Sequence, residues 1–78
     1  MAGEIISVRV RGVGALRRVV GERLLKMPEG STVAELESVL GIDTEYSPAF
    51  LVNGRRRVRG ARLFEGDAVT VVSLMAGG

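Results

Sequence analysis

Residues 32–41 hold a complete helix in ten positions, and the clearest apolar patterns on either side of them are those of strands. Thr32 followed by Glu35 is a capping box: the hydroxyl accepts from the amide of Glu35, and the carboxylate reaches back to the amide of Thr32. Val33, Leu36, Val39 and Leu40 recur at three- and four-residue intervals and form one apolar stripe, which leaves Glu35, Glu37 and Ser38 facing water. Gly41 is the residue that stops the helix, since it takes the left-handed conformation without strain. One short helix with a single apolar stripe is expected to lie across one face of a sheet.

The sheet can be traced strand by strand. Ile6, Val8 and Val10 alternate with Ser7, Arg9 and Arg11, the period of a half-buried strand. Gly12, Gly14 and Gly21 bracket Ala15–Val20, which reads equally as a helical turn or as the start of the return strand. Arg23–Met27 places Leu25 and Met27 on one face and ends at Pro28 and Gly30. Beyond the helix, Ala49–Val52 reads as a buried strand. Asn53-Gly54 then signals a type I′ hairpin, whose central residues both need positive φ. Arg55–Val58 is the returning edge strand, blunted by charge. Glu65-Gly66-Asp67 is a tight turn that Asp67 is expected to order, and Ala68–Met75 is the most apolar strand, hence the central one.

Composition narrows the function. A single domain of 78 residues buries only about 60–65% of the surface its unfolded chain exposes, which leaves no room for a deep substrate cavity. The chain has no Cys and no His, so disulfides, thiolate nucleophiles, the commonest zinc ligands and the usual neutral-pH base are all excluded. No metal or cofactor is expected, and an independent enzyme is disfavoured. Glu35 and Glu37 do not form an acid/base pair, because the first is engaged in the cap and the two do not converge. Met1–Val10 carries Glu4 and Arg9 without a long apolar run, so neither a signal peptide nor a membrane span is expected, and the location is expected to be cytoplasmic.

Two strands, a helix, two strands, a turn and a last strand describe an α+β chain. With the first and last strands side by side under the helix, the arrangement is a β-grasp, a mixed sheet of four to five strands. An α+β roll of different strand order fits the same periodicities. Pro28-Glu29-Gly30-Ser31-Thr32-Val33, Val52-Asn53-Gly54, Glu65-Gly66-Asp67-Ala68-Val69 and the terminal Ala76-Gly77-Gly78 together resemble the ubiquitin-like sulfur carriers. This family comprises the small subunit of molybdopterin synthase and the sulfur carrier of thiazole synthesis for thiamine. The interval from Gly66 to Gly77 is also the family's, and the likeness covers essentially the whole chain. Ala15–Gly21 and the overall length resemble the molybdopterin branch. Ser73-Leu74 resembles the thiazole branch, because it stands where the other often has two prolines.

The resemblance implies a β-grasp domain over residues 1–74 and a flexible tail over residues 75–78. It implies that Gly78 is adenylated by a ubiquitin-activating-type enzyme and converted by a sulfur donor to a thiocarboxylate, with sulfur delivered inside a synthase large subunit. Gly77 and Gly78 suit a narrow channel because they lack Cβ atoms. Taken alone, the pair reads as well as an ordinary Gly-rich end. A protein modifier that forms isopeptide bonds through Gly78, and a binding module with an idle terminus, are the competing classes.

Two surface features complete the reading. Alternate residues near the end of the last strand face the uncovered side, so some of Val72, Leu74, Met75 and Ala76, with Phe64 from the preceding loop, are expected to form an apolar partner-binding patch; periodicity does not fix the register, and core packing fits Leu74 and Met75 equally well. Arg55, Arg56, Arg57, Arg59 and Arg62 cluster together. They suit an acidic partner or a phosphate backbone, although a solvated edge and loop is the preferred reading. Nucleic acid is the weaker of these partners, since Tyr46, Phe50 and Phe64 are not interleaved with the arginines.

Overall fold

Each apolar pattern becomes an element in the computed structural model, which describes residues 3–75. Strand β1 (Ile5–Gly12) buries Ile6, Val8 and Val10 and exposes Ile5, Arg9 and Arg11, as a sheet with one covered face requires. β2 (Glu22–Pro28) returns antiparallel to it, from Arg11↔Glu22 to Ile5↔Pro28. The stretch between them is helical. A 3-10 turn, Gly14–Leu16, runs into a one-turn helix α1 (Arg17–Val20), whose Leu16 approach and Val20 are buried. Gly12 is where this segment touches the sheet. A Cβ there would lie 2.3 Å from the carbonyl oxygen of Leu16 and 2.8 Å from Cβ of Val20, so only glycine allows the approach.

The helix α2 (Val33–Leu40) carries the expected cap. Thr32 Oγ1 accepts from the amide of Glu35 at 3.3 Å, and Glu35 Oε1 accepts from the amide of Thr32 at 2.8 Å. Gly41, with φ 66°, ends the helix and donates to the carbonyls of Glu37 and Ser38. The buried face of α2 differs from the expected stripe at two positions. Val39 is 59% exposed, and Glu37, expected in water, is only 9% exposed. The face turned to the sheet is Val33, Leu36, Glu37 and Leu40, one complete i, i+3, i+4, i+7 set. Glu37 is accommodated there because its carboxylate pairs with Arg59. Arg59 and Ala61 also accept, through their carbonyls, from the amides of Ala34 (2.8 Å) and Val33 (2.9 Å). The loop thereby satisfies donors that the first turn of a helix leaves unpaired.

Strand β3 (Pro48–Val52) turns through Asn53 and Gly54, at φ 52° and 85°, into β4 (Arg55–Arg57). Both angles are positive, as the hairpin signal demanded. β4 stops one residue before the expected Val58. Strand β5 (Ala68–Ser73) stops short of Leu74 and Met75. The sheet order is β2-β1-β5-β3-β4, with β5 central, parallel to β1 and antiparallel to β3. Val33, Leu36 and Leu40 bury with Val8, Val10, Phe50, Val52, Val69 and Val71 in one core. The opposite face, bearing Arg9, Arg11, Leu24 and Ala68, stays open. Among the described residues, no helix is long and apolar enough to cross a membrane.

Asp67 orders two turns at once. One carboxylate oxygen accepts from the amide of Phe64 and the other from the side-chain amide of Asn53, both at 2.8 Å. Asn53 in turn exchanges bonds with Ala68, its own amide donating to the Ala68 carbonyl at 2.7 Å and its Oδ1 accepting from the Ala68 amide at 3.0 Å. The hairpin and the start of β5 are therefore fastened to each other, which fixes where the central strand begins.

Candidate functional site at the end of the last strand

The register of β5 decides what its far end presents. Val69 and Val71 face the core, so Val72 falls on the other side and is half-buried. After Ser73 the chain is still guided for two residues. Leu74 donates to the carbonyl of Ser47 at 3.0 Å, and the Ser73 hydroxyl donates to the carbonyl of Tyr46 at 2.6 Å while accepting from the amide of Met75 at 3.2 Å. Ser47 offers its carbonyl from the left-handed region, φ 48°, at the end of the 3-10 turn Thr44–Tyr46. Leu74 and Met75 are 53% and 42% exposed on an anchored backbone.

Met75 lies beside a shallow groove of about 230 Å³, which it lines with Val72, Ser73, Val13, Gly14 and Ala15. The groove's far wall is the segment that crosses Gly12, held by the Val13 amide donating to the carbonyl of Val71 at 3.1 Å. Sequence reasoning did not assign Val13–Ala15 to the site. The signal for it was the pair Gly12 and Gly14, the first needed for close approach and the second for φ 58°.

The predicted partner residues are thus divided by the fold. Val72, Leu74 and Met75 gather at the end of β5, whereas Phe64 stands before the turn that leads into its start. Six strand residues separate the two places, about 20 Å at the rise of a strand. Phe64 is 59% exposed and is covered on one side by the Arg62 guanidinium, 5.7 Å from the ring centre. Ala76, Gly77 and Gly78 lie outside the described residues.

Comparison with known structures gives the class first. The chain superposes on a protein described as molybdopterin converting factor, subunit 1, of Pyrococcus furiosus with a TM-score of 0.77 at 23% identity, covering 90% of this chain and 99% of that one. The small archaeal modifier protein 1 of Haloferax volcanii matches with a TM-score of 0.70 at 16% identity over 90% and 99% of the two chains. A Caldiarchaeum subterraneum ubiquitin matches at 0.65 and 13%, over 96% and 100%. The fold is the ubiquitin-like β-grasp. Sequence narrows the class further: the model of the ThiS family matches residues 10–78. The chain belongs to the ThiS family. A search of curated proteins finds no match.

Proposed function

We propose that this protein is a sulfur carrier that acts within partner enzymes through the carboxylate of Gly78, and that it serves molybdopterin biosynthesis. The observation that carries the reading is the reach of the family match, which runs through residue 78 and so takes in Gly77 and Gly78. The anchored, exposed end of β5 supports it. Residues 1–74 serve as the domain, and residues 75–78 as the segment handed to partners, with Val72, Leu74, Met75 and Ala76 at the contact.

A carboxylate is a poor electrophile, so activation comes first. A carboxylate oxygen of Gly78 attacks the α-phosphorus of ATP in a ubiquitin-activating-type enzyme, and pyrophosphate leaves. Sulfur from a sulfide-level donor then attacks the acyl carbon and AMP departs, which leaves a thiocarboxylate with one oxygen replaced. Its sulfur is a soft nucleophile that a synthase large subunit directs to the acceptor. The partner positions the thin Gly-Gly end and keeps water from the activated acyl group. A cytoplasmic location fits this partnership.

The thiazole pathway is the second reading, favoured by one detail. The amide of Leu74 is used in a bond to Ser47 and the Ser73 hydroxyl in two more, roles that prolines at these positions cannot fill. The test is incubation with the adenylating enzyme, ATP and a sulfide source, followed by intact mass. Exchange of one oxygen for sulfur supports the carrier, and sulfur transfer to a molybdopterin rather than a thiazole precursor decides the branch. A series of protein conjugates favours the modifier reading. An unchanged mass, together with full function after deletion of Gly77 and Gly78, overturns both.

A further inference from the structure

One free edge of the sheet carries a run of charge that neither the core nor the end of β5 uses. β4 is one of the two edge strands in the order β2-β1-β5-β3-β4, the other being β2, and it consists of Arg55, Arg56 and Arg57, all exposed. The direction of its backbone groups follows from the bond between the Asn53 amide and the Ala68 carbonyl. Alternation along an antiparallel ladder then turns the N–H and C=O of Leu51 toward β5, and those of Val52 and Phe50 toward β4. In the register Val52↔Arg55, Leu51↔Arg56, Phe50↔Arg57, the inward-bonding residues of β4 are Arg55 and Arg57. Arg56 therefore aims its N–H and C=O away from the sheet.

An outward donor and acceptor flanked by guanidinium groups on both sides is a place for an extended chain to add. Beside it, a groove of about 590 Å³ lies between β4 and α2, bounded by Phe50, Arg57, Val58, Arg59 and, from α2, Glu37, whose carboxylate is paired with Arg59. Val58, 76% exposed, leaves an apolar surface at its rim. A second copy of this strand is a poor occupant, because pairing β4 with itself sets arginines against arginines. Arginine also pairs a carboxylate through two parallel N–H bonds, which lysine does not.

We propose that β4 docks an acidic, extended peptide segment of a partner protein by strand addition. Arg56 exchanges two backbone hydrogen bonds with the central residue of the segment, and Arg55, Arg56 and Arg57 each face a carboxylate. The proposal is independent of the chemistry at Gly78. With one bonded residue pair and solvent-exposed charges, the complex is weak and salt-sensitive.

The test uses the full chain and a synthetic glutamate- and valine-containing peptide of about eight residues, the ordinary length of a strand and a little more. Backbone amide NMR shifts should move at Arg55–Val58, and affinity should fall as salt rises. Arg56→Glu should weaken binding roughly two- to five-fold or more, the range for loss of one exposed pair. N-methylation of the central peptide bond keeps every charge but removes the donor to Arg56, so it should lower affinity for the unaltered protein. Equal affinity for the N-methylated peptide overturns strand addition. Shifts confined to Arg9, Arg11 and Thr70 on the open sheet face, or no saturable shift at low salt, overturn the site itself.

Discussion

Replacing Gly12 by alanine puts one methyl group where the packing has no space for it. The new Cβ would sit 2.3 Å from the Leu16 carbonyl oxygen and 2.8 Å from Cβ of Val20. Ordinary contacts between such atoms lie at about 3.5–4.0 Å, so the segment Val13–Val20 must lift by about an ångström. The obstructing atom is backbone and cannot rotate away. Leu16 is fully buried and Val20 nearly so, and overpacking of this kind costs about 1–3 kcal/mol. Alanine also narrows the unfolded ensemble, which offsets roughly 0.4–1 kcal/mol of that. The net loss is about 1–2 kcal/mol, against a total of roughly 4–12 for a chain of this size. Urea unfolding monitored by circular dichroism should show the midpoint falling by about 1–2 M at a slope near 1 kcal/mol per M. Gly60 supplies the control, since a Cβ there meets nothing within 4 Å, and Gly60→Ala should be neutral or slightly stabilising. A Gly12→Ala protein as stable as the parent, or equal losses at both glycines, would refute the reasoning. On the proposed sulfur-carrier function, because Val13–Ala15 walls the groove beside Met75, Gly12→Ala should also raise the KM of the proposed adenylation more than it lowers kcat.

Two further substitutions probe how the site is held. Asp67→Ala removes the acceptor for both Phe64 and Asn53, which should cost about 2–3 kcal/mol and lower the thermal midpoint by roughly 10–20 °C; a scanning calorimeter reads this directly. Ser73→Ala loses the bonds to Tyr46 and Met75 and should cost about 1 kcal/mol. Hydrogen exchange should then speed at Met75 but not at Leu74, whose bond to Ser47 is independent; equal acceleration at both would show that the anchors act as one.

What could be read from the residues was whatever local chemistry decides. The Thr32–Glu35 box, Gly41 and Asn53-Gly54 each impose a backbone geometry on their own few residues, and each adopts it. β5 was legible as central because its valines leave few polar atoms to face water. Glu37 was misread because its partner lies 22 residues away, beyond the reach of any helical period. Without Arg59, a stripe completed by Val39 is the better guess. Ala15–Val20 stayed ambiguous because one turn of helix is too short for its period to declare itself, and what sets it is the approach to Gly12. Phe64 was grouped with Leu74 and Met75 on apolar character alone, and only the course of β5 shows that the strand lies between them. The family and fold carried through, while the segment walling the groove had to come from the folded chain.

The parallel pairing of β1 with β5 has a temporal consequence. Arg11 and Thr70, bonded across that pair, are 59 residues apart, so the middle of the sheet is vacant until Ala68–Ser73 has been synthesised. Contacts of such separation form late and slowly. A polypeptide truncated before Ala68 lacks its central strand and exposes two unpaired edges. Maturation is self-policing in this sense: a chain that stops short of the central strand cannot display a finished domain.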